Sequence, residues 1–143
     1  MSIILGSRSL SRLEGVHPDL VRVVKKAAAL SDLDFTVLEG LRTLDRQRKL
    51  LAQGASKTLN SRHITGHAVD LAPLIDGSVR WDWGLYLRLG GVMREASLAE
   101  GVPIRWGGTW KLLSDIQGPI TAKILSRSFP DGPHFEIDPK KYP

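Results

Sequence analysis

Cysteine is absent from the 143-residue sequence, and two kinds of chemistry are absent with it. No disulfide bond can stabilise the fold, and no thiolate can bind a metal ion. Any metal site must therefore use histidine, aspartate or glutamate. Long apolar runs are also lacking, since none approaches the roughly 18 residues of a membrane span, and we expect no membrane-spanning segment. The first residues contain a short apolar run with basic residues after it, unlike a secretory signal. We therefore expect the protein to stay where it is made until something else releases it.

Acidic residues are outnumbered, because 20 Lys and Arg against 15 Asp and Glu give a formal net charge of +5. This charge favours polyanionic partners such as nucleic acid, anionic membranes or anionic cell-wall polymer, without distinguishing among them. The basic residues are dispersed, as on an ordinary solvated surface. The sequence shows no repeat or low-complexity tract, and 42% of it is hydrophobic and 24% charged, which is typical of a globular protein. We interpret residues 1–143 as a single domain.

Three segments have the apolar spacing of helices. The first covers residues 18–30 and begins with a proline, which favours a first helical position. The second follows Thr43, a capping residue, through LDRQRKLLAQ to the stop at Gly54. The third runs from Trp83 to about Leu98, although its two interior glycines weaken it.

Four short segments rich in apolar residues predict strands, namely DFTVLEG, AVDLAPLI, PIRWGG and HFEID. Residues 111–130 fit a short helix or a covering loop equally well. Together these elements predict an α+β fold with a small, mainly antiparallel sheet flanked by helices.

Histidines concentrate in two segments rich in glycine, proline, aspartate and small residues. Of four histidines, at positions 17, 63, 67 and 134, two lie in SRHITGHAVD and one in DGPHFE. A catalytic zinc ion takes three nitrogen or oxygen ligands and leaves a fourth position open, and His63, Asp70 and His134 can supply such a set. His63 and Asp70 can meet only if the chain turns back between them, which Gly66 permits. A helical His63–His67 pair, four residues apart, is the alternative by spacing.

The segment SRHITGHAVD matches every fixed position of the S-x-H-x-x-G-x-A-x-D pattern, and WGGTW and PHFEID follow it in order. In these motifs the chain resembles the D-alanyl-D-alanine carboxypeptidase family of zinc peptidases, from about Glu39 to Asp138. Within that family it looks most like the phage L-alanyl-D-glutamate endopeptidases that serve as endolysins. The resemblance implies a hedgehog/D-Ala-D-Ala peptidase-like fold with a zinc site on the sheet.

The resemblance also implies roles for individual residues. It makes His63, Asp70 and His134 the zinc ligands, and it makes Asp131, three positions before the last ligand, the catalytic base. Arg42 in GLRT matches the family's G-x-R-[ST] position, where an arginine stabilises the charged oxygen of the transition state. A surface ion pair with Glu39 is the alternative for Arg42.

Other polar residues of the matched segments have two interpretations each. Ser61 and His67 are candidate substrate-binding residues, with a loop cap and a polar cleft residue as their respective alternatives. Glu136 is expected either to orient a zinc-bound histidine or to lie exposed on a strand.

Two features depart from the family pattern. Thr109 stands where the W-G-G-D-W motif has aspartate, and Asp131 lies far from Trp110, although the family's catalytic aspartate often follows that motif closely. Asp115 is therefore the rival for the role of base. We prefer Asp131, because its offset to His134 lets one short loop place the base and a ligand together.

We accordingly expect a zinc endopeptidase that cuts the L-alanyl–D-glutamate bond of bacterial peptidoglycan and lyses the cell wall. The alternatives are a D-alanyl-D-alanine carboxypeptidase and a non-catalytic basic module that binds cell wall or nucleic acid. We expect a monomer with one catalytic domain over residues 1–143 and no separate cell-wall-binding domain. It would remain in the host bacterial cytoplasm until a pore-forming protein releases it to the wall.

Overall fold

A computed structural model describes residues 2–56 and 58–143 of the chain. It consists of helices and short strands that alternate along the sequence. The helices are α1 (Ser7–Arg12), α2 (Pro18–Leu30), α3 (Leu44–Ala52) and α4 (Trp83–Glu100). The strands are β1 (Phe35–Glu39), β2 (Ala68–Ile75), β3 (Ser78–Val79), β4 (Ile104–Trp106), β5 (Lys111–Leu112) and β6 (His134–Ile137).

The strands form one antiparallel sheet with the order β1-β2-β6-β4-β5, and β3 pairs with the far end of β2. Successive side chains of a strand point to opposite faces, so each strand contributes to two environments. In β2, Val69 and Leu71 enter the hydrophobic core, while Asp70 between them points to the other face. In β6, Phe135 and Ile137 enter the core, and His134 lies opposite Asp70. The sheet thus has an apolar face and a polar face.

Helices α2 and α4 pack against each other, and their buried residues join the apolar face of the sheet in one hydrophobic core. Gly90 of α4 lies against the indole of Trp106, where an added Cβ atom would come within 3.2 Å of the ring. The glycine that weakens the helix by propensity therefore lets α4 approach β4 closely. The core fixes the sheet from one side and leaves the polar face for chemistry.

The predicted α+β fold with a small antiparallel sheet flanked by helices is confirmed. The helix over Pro18–Leu30 and the strand over Ala68–Ile75 have the bounds that the sequence predicted, and the third helix extends two residues further, to Glu100. The short helix Ser7–Arg12 was not predicted. The interpretation as one catalytic domain without a separate cell-wall-binding domain stays a prediction.

Residues 111–130 form a covering loop rather than an α-helix. The segment contains the short strand β5 and two 3-10 turns, Leu113–Asp115 and Ala122–Ile124. Leu113 is fully buried in the core, so the segment is anchored at its beginning. Within residues 2–56 and 58–143, no helix combines the length and apolar character needed to cross a membrane.

Candidate active site

Two neighbouring strands and the loop before them bring His63, Asp70 and His134 together on the polar face of the sheet. Asp70 and His134 are direct partners across β2 and β6. The chain turns back at Gly66, whose φ of 76° lies in the left-handed region and whose α-carbon faces the Gly15 carbonyl so closely that no Cβ atom fits. His63 thereby reaches Asp70, and the potential ligand atoms of the three residues lie within 4.8 Å of one another.

The hydrogen bonds of the two histidines decide which ring nitrogens face the centre. His63 Nδ1 lies 2.9 Å from the Gly40 carbonyl, and His134 Nε2 lies 2.8 Å from a carboxylate oxygen of Glu136. Because both partners can only accept, these nitrogens carry the hydrogens and the opposite nitrogens of neutral rings carry lone pairs. Those lone pairs face Asp70 Oδ1, at 3.1 Å from His63 Nε2 and 3.5 Å from His134 Nδ1.

Three acceptor atoms that converge on one point repel each other unless a proton or a cation lies between them. A nitrogen–nitrogen–oxygen set with outer hydrogen bonds that fix both rings is the donor set of a mononuclear zinc site. The residues therefore fit a metal ion. Glu136 is buried and bonded to His134, so its alternative as an exposed strand residue is wrong.

Protonation equilibria in the metal-free site reflect the same crowding of acceptors. Burial alone would raise the pKa of Asp70, but its interactions with His134 and His63 hold that pKa well below the ordinary value. Burial alone would lower the pKa of His134, but its hydrogen bonds to Asp70 and Glu136 raise it to about 9. Protonation of His134 and binding of a metal cation at the same ring nitrogen would therefore compete.

Asp131 lies in the same cleft, which has a volume of about 660 Å³. The backbone N–H of His134 donates to the Asp131 carbonyl at 3.2 Å, so one tight turn places both residues. Burial and the negative charge of Asp70 raise the pKa of Asp131. A carboxylate with a raised pKa beside a metal site is suited to accept a proton from water.

Asp115 does not line this cleft and is exposed on a 3-10 turn. Thr109, where the family motif has aspartate, is buried and accepts a hydrogen bond from the Lys111 backbone at 3.2 Å. The threonine therefore completes the turn before β5.

Arg42 is buried at the inner end of the cleft, directly after β1 and Gly40. Glu39 binds it through both oxygens, at 2.8 Å and 2.7 Å, and Asp70 Oδ2 lies 3.5 Å from Nη2. The ion pair with Glu39 expected as the alternative exists, but the arginine side chain is only 8% exposed. The guanidinium is thus a fixed positive charge beside Asp70, one of the three candidate metal ligands.

Gln47 supports Arg42 in a way that the sequence pattern did not reveal. Its side chain is fully buried, its Oε1 accepts from Arg42 at 2.8 Å, and its amide donates to Ser56 Oγ at 2.8 Å and to the Thr58 carbonyl at 2.6 Å. One amide thus joins the arginine to Ser56 and Thr58, which line the cleft. The only hint in the sequence is that Gln47 follows the capping residue Thr43 by about one helical turn.

The two candidate substrate-binding residues have different surroundings. Ser61 lines the cleft, and its hydroxyl accepts from the His63 backbone at 3.2 Å, as a loop cap does. His67 lies in a separate adjoining hollow, where Nδ1 is 2.6 Å from the Thr65 hydroxyl and the ring lies 5.8 Å from that of His17. The structure therefore does not bring His67 to the three candidate metal ligands. A substrate contact by either residue stays a prediction.

Trp110 forms part of the cleft wall in a conformation that few tryptophans adopt. Its φ of 55° is left-handed, its indole N–H donates to the Phe129 carbonyl at 2.9 Å, and its ring lies 5.4 Å from that of His134. Arg105 covers the ring at 5.3 Å. Backbone strain of this kind persists where the surroundings fix it and is concentrated at functional sites.

An antiparallel sheet that presents two histidines and an aspartate beside a partly buried second aspartate and an arginine has the arrangement that single-metal hydrolases use. Comparisons with known proteins narrow this class. Residues 1–137 match the family described as phage L-alanyl-D-glutamate peptidase. The chain therefore belongs to this family.

Individual relatives agree with that assignment. The L-alanyl-D-glutamate peptidase of Escherichia phage T5 is 33% identical over 141 residues, which are 96% of this chain and 99% of the relative. The L-alanyl-D-glutamate peptidase of Listeria phage A118 is 26% identical over 139 residues, and the chain spans only 43% of its length. The crystal structure of the Serratia marcescens L-Ala D-Glu endopeptidase ChiX superposes with a TM-score of 0.80 at 40% identity, covering 96% of this chain and 91% of that one.

Proposed function

We propose that the protein is a zinc peptidase that hydrolyses the L-alanyl–D-glutamate bond in the stem peptides of bacterial peptidoglycan. The observation that carries this proposal is the convergence of three acceptor atoms, from His63, Asp70 and His134, in the cleft that also contains Asp131. The choice of the L-alanyl–D-glutamate bond as the scissile bond rests on the names of the relatives. The formal charge of +5 suits an anionic wall polymer.

In this proposal His63, Asp70 and His134 would hold the zinc ion. When bound, zinc supplies a Lewis acid that polarises the scissile carbonyl and lowers the pKa of water. Glu136 and the Gly40 carbonyl keep both imidazoles in the tautomer whose lone pair faces the centre. Binding of zinc would therefore require no rotation of either imidazole ring.

Asp131 acts as the general base and then as the general acid. It takes a proton from the attacking water and returns it to the amine of D-glutamate as the peptide bond breaks. Its raised pKa, caused by burial and by Asp70, makes the carboxylate a better proton acceptor than an exposed aspartate. Asp115 lies too far outside the cleft lining for this role.

Arg42 stabilises the negative charge that develops on the carbonyl oxygen. All five of its N–H groups point to protein acceptors, namely Glu39, Gln47, Ser61 and Asp70. It therefore acts through its fixed charge more than through a free hydrogen bond. Loss of such preorganised stabilisation costs roughly 3 to 4 kcal/mol in comparable sites.

The proposal also covers the oligomeric state of the enzyme and its location in the host cell. The enzyme would act as a monomer and wait in the host cytoplasm until a pore-forming protein opens the way to the wall. The phage origin of its relatives supports this order of events.

The test is digestion of purified peptidoglycan, followed by mass analysis of the new termini. We expect fragments that begin with D-glutamate, loss of all cleavage with a chelator, and recovery on addition of zinc. Release of D-alanine alone would favour the carboxypeptidase, and full cleavage in a metal-free preparation would contradict the zinc mechanism. His134→Ala serves as the inactive control. Tight binding of nucleic acid without any cleavage of the wall would favour the non-catalytic basic module.

A further inference from the structure

Two exposed aromatic side chains line the cleft that contains the three candidate metal ligands. Trp81 is 64% exposed and Phe129 is 47% exposed, and both line the same cavity as His63, Asp70 and His134. Large apolar side chains at the surface lose the stabilisation that burial gives, so a pair of them at a functional cleft indicates a ligand. The proposed mechanism uses neither residue.

Trp81 is held in place although it is exposed. Its ring stacks on that of Tyr86, with centroids 6.4 Å apart and an angle of 29° between the planes. Tyr86 in turn packs on Gly132, where an added Cβ atom would lie 3.0 Å from the tyrosine ring. Gly132 directly follows Asp131. The free face of the indole is therefore fixed relative to the proposed base, and such preorganisation reduces the entropy cost of binding.

The other lining of the cleft has a different character. Ser56, Thr58 and Asn60 contribute hydroxyl and amide groups, and Gln47 links Ser56 to Arg42. The cleft is thus lined by polar groups as well as by aromatic rings. A substrate that fills it should carry polar groups on one side of the scissile bond and an apolar surface on the other.

The stem peptide has this asymmetry about the bond between L-alanine and D-glutamate. D-Glutamate carries a free carboxylate. L-Alanine is joined to the lactyl group of a muramic acid, so a single residue separates the bond from a pyranose ring. At roughly 3.5 Å per residue, the sugar must lie within about 10 Å of the scissile carbonyl. One face of a pyranose presents C–H groups, which pack on the negative face of an aromatic ring.

We propose that Trp81, together with Phe129 in the lining of the same cleft, binds the muramic sugar of the substrate. The enzyme then prefers stem peptides that are still attached to the glycan strand over free peptides. This inference rests on the proposed function, because it requires the scissile bond to be next to the sugar-linked alanine. It also fixes the direction of the substrate, with the glycan over the aromatic rings and D-glutamate toward the polar groups.

The experiment compares two substrates, a disaccharide-linked stem peptide and the same peptide without sugar. For Trp81→Ala we expect kcat/KM to fall about 2- to 12-fold on the disaccharide substrate, the size of one lost aromatic contact, and to stay unchanged on the free peptide. Trp81→Phe should restore most of the loss. Leu98→Ala is the matched control, because Leu98 is 61% exposed and lies outside the cleft.

A second measurement uses the unmodified enzyme and the cleavage product. The disaccharide linked to L-alanine should inhibit competitively, whereas L-alanine alone should not, and Trp81→Ala should weaken that inhibition. Equal losses on both substrates, no loss on the disaccharide substrate, or equal inhibition by the two products would overturn the sugar site. In each of those cases the enzyme would still cleave the bond. Absence of cleavage in both substrates would instead refute the proposed function.

Discussion

The buried amide of Gln47 provides a quantitative test of how the cleft is held together. Gln47→Met keeps the volume and removes three hydrogen bonds, one to the charged Arg42 and one each to Ser56 and Thr58. The charged bond contributes about 1.5 to 3 kcal/mol and each neutral bond about 1 kcal/mol, while the apolar methionine offsets about 1 kcal/mol. We expect a net loss of about 3 kcal/mol in the free energy of unfolding.

This loss converts into a melting temperature. Unfolding of 143 residues has an entropy near 0.3 kcal/mol/K, at about 2.1 cal/mol/K per residue, so 3 kcal/mol lowers Tm by about 10 °C. Urea unfolding and calorimetry measure both quantities. Metal content should not change, because Gln47 contacts no proposed ligand. The control is Gln53→Met at the exposed end of the same helix, which should stay within about 0.5 kcal/mol of the parent. A loss below 1 kcal/mol for Gln47→Met would refute the reasoning.

Three further predictions concern the candidate metal ligands and the proposed base, Asp131. Asp131→Asn should retain the fold and the zinc but lose about 100- to 10,000-fold in turnover, whereas Asp115→Asn should stay within a few-fold; muropeptide release decides, and the reverse result would exchange their roles. Because the pKa of His134 is raised to about 9, its bound proton stabilises the metal-free fold fully below the ordinary histidine pKa, and this stability is lost as the pH rises through 9. The chelated protein should therefore melt at lower temperature at pH 9 than at pH 6.5, while zinc affinity should increase over the same interval as the competing proton leaves; titration calorimetry that found a pH-independent affinity would contradict the competition. His63→Ala should lose zinc in elemental analysis and His67→Ala should retain it, and stoichiometric zinc in the His63 variant would point to a different ligand set.

Patterns within short stretches of sequence predicted much of the fold. Helix α2 and strand β2 followed from apolar spacing with an N-terminal proline and from a short apolar run, respectively. The turn at Gly66 was predicted from the need to bring His63 back to Asp70. By contrast, β3 and β5 have two residues each, too few to show an alternating apolar pattern. They form hairpins with the neighbouring strands β2 and β4, and only the Asp76-Gly77 turn marks the first of these in the sequence.

Within the candidate site, the limits of prediction have the same origin. The placement of His67 was open to prediction, because it is three residues before Asp70 and therefore on the opposite face of an extended chain. The position of Glu136 was also open to prediction, because residues two apart in a strand point to the same face, and Glu136 is two residues after His134. The role of Gln47 depends on where Ser56 and Thr58 lie, and the position of Trp81 depends on the packing of Tyr86. No local sequence pattern indicates either arrangement.

The pairing of Asp70 with His134 across β2 and β6 links enzymatic competence to strand register. A slip of one residue in either strand would turn the ligand toward the core and bring Val69 or Phe135 onto the polar face. Misregistered sheets would then have no metal site at all, so each misregistered molecule would be inactive rather than partly active. The specific activity of a refolded sample consequently counts the molecules whose central strands are in register, and it can serve as a direct titration of correct folding.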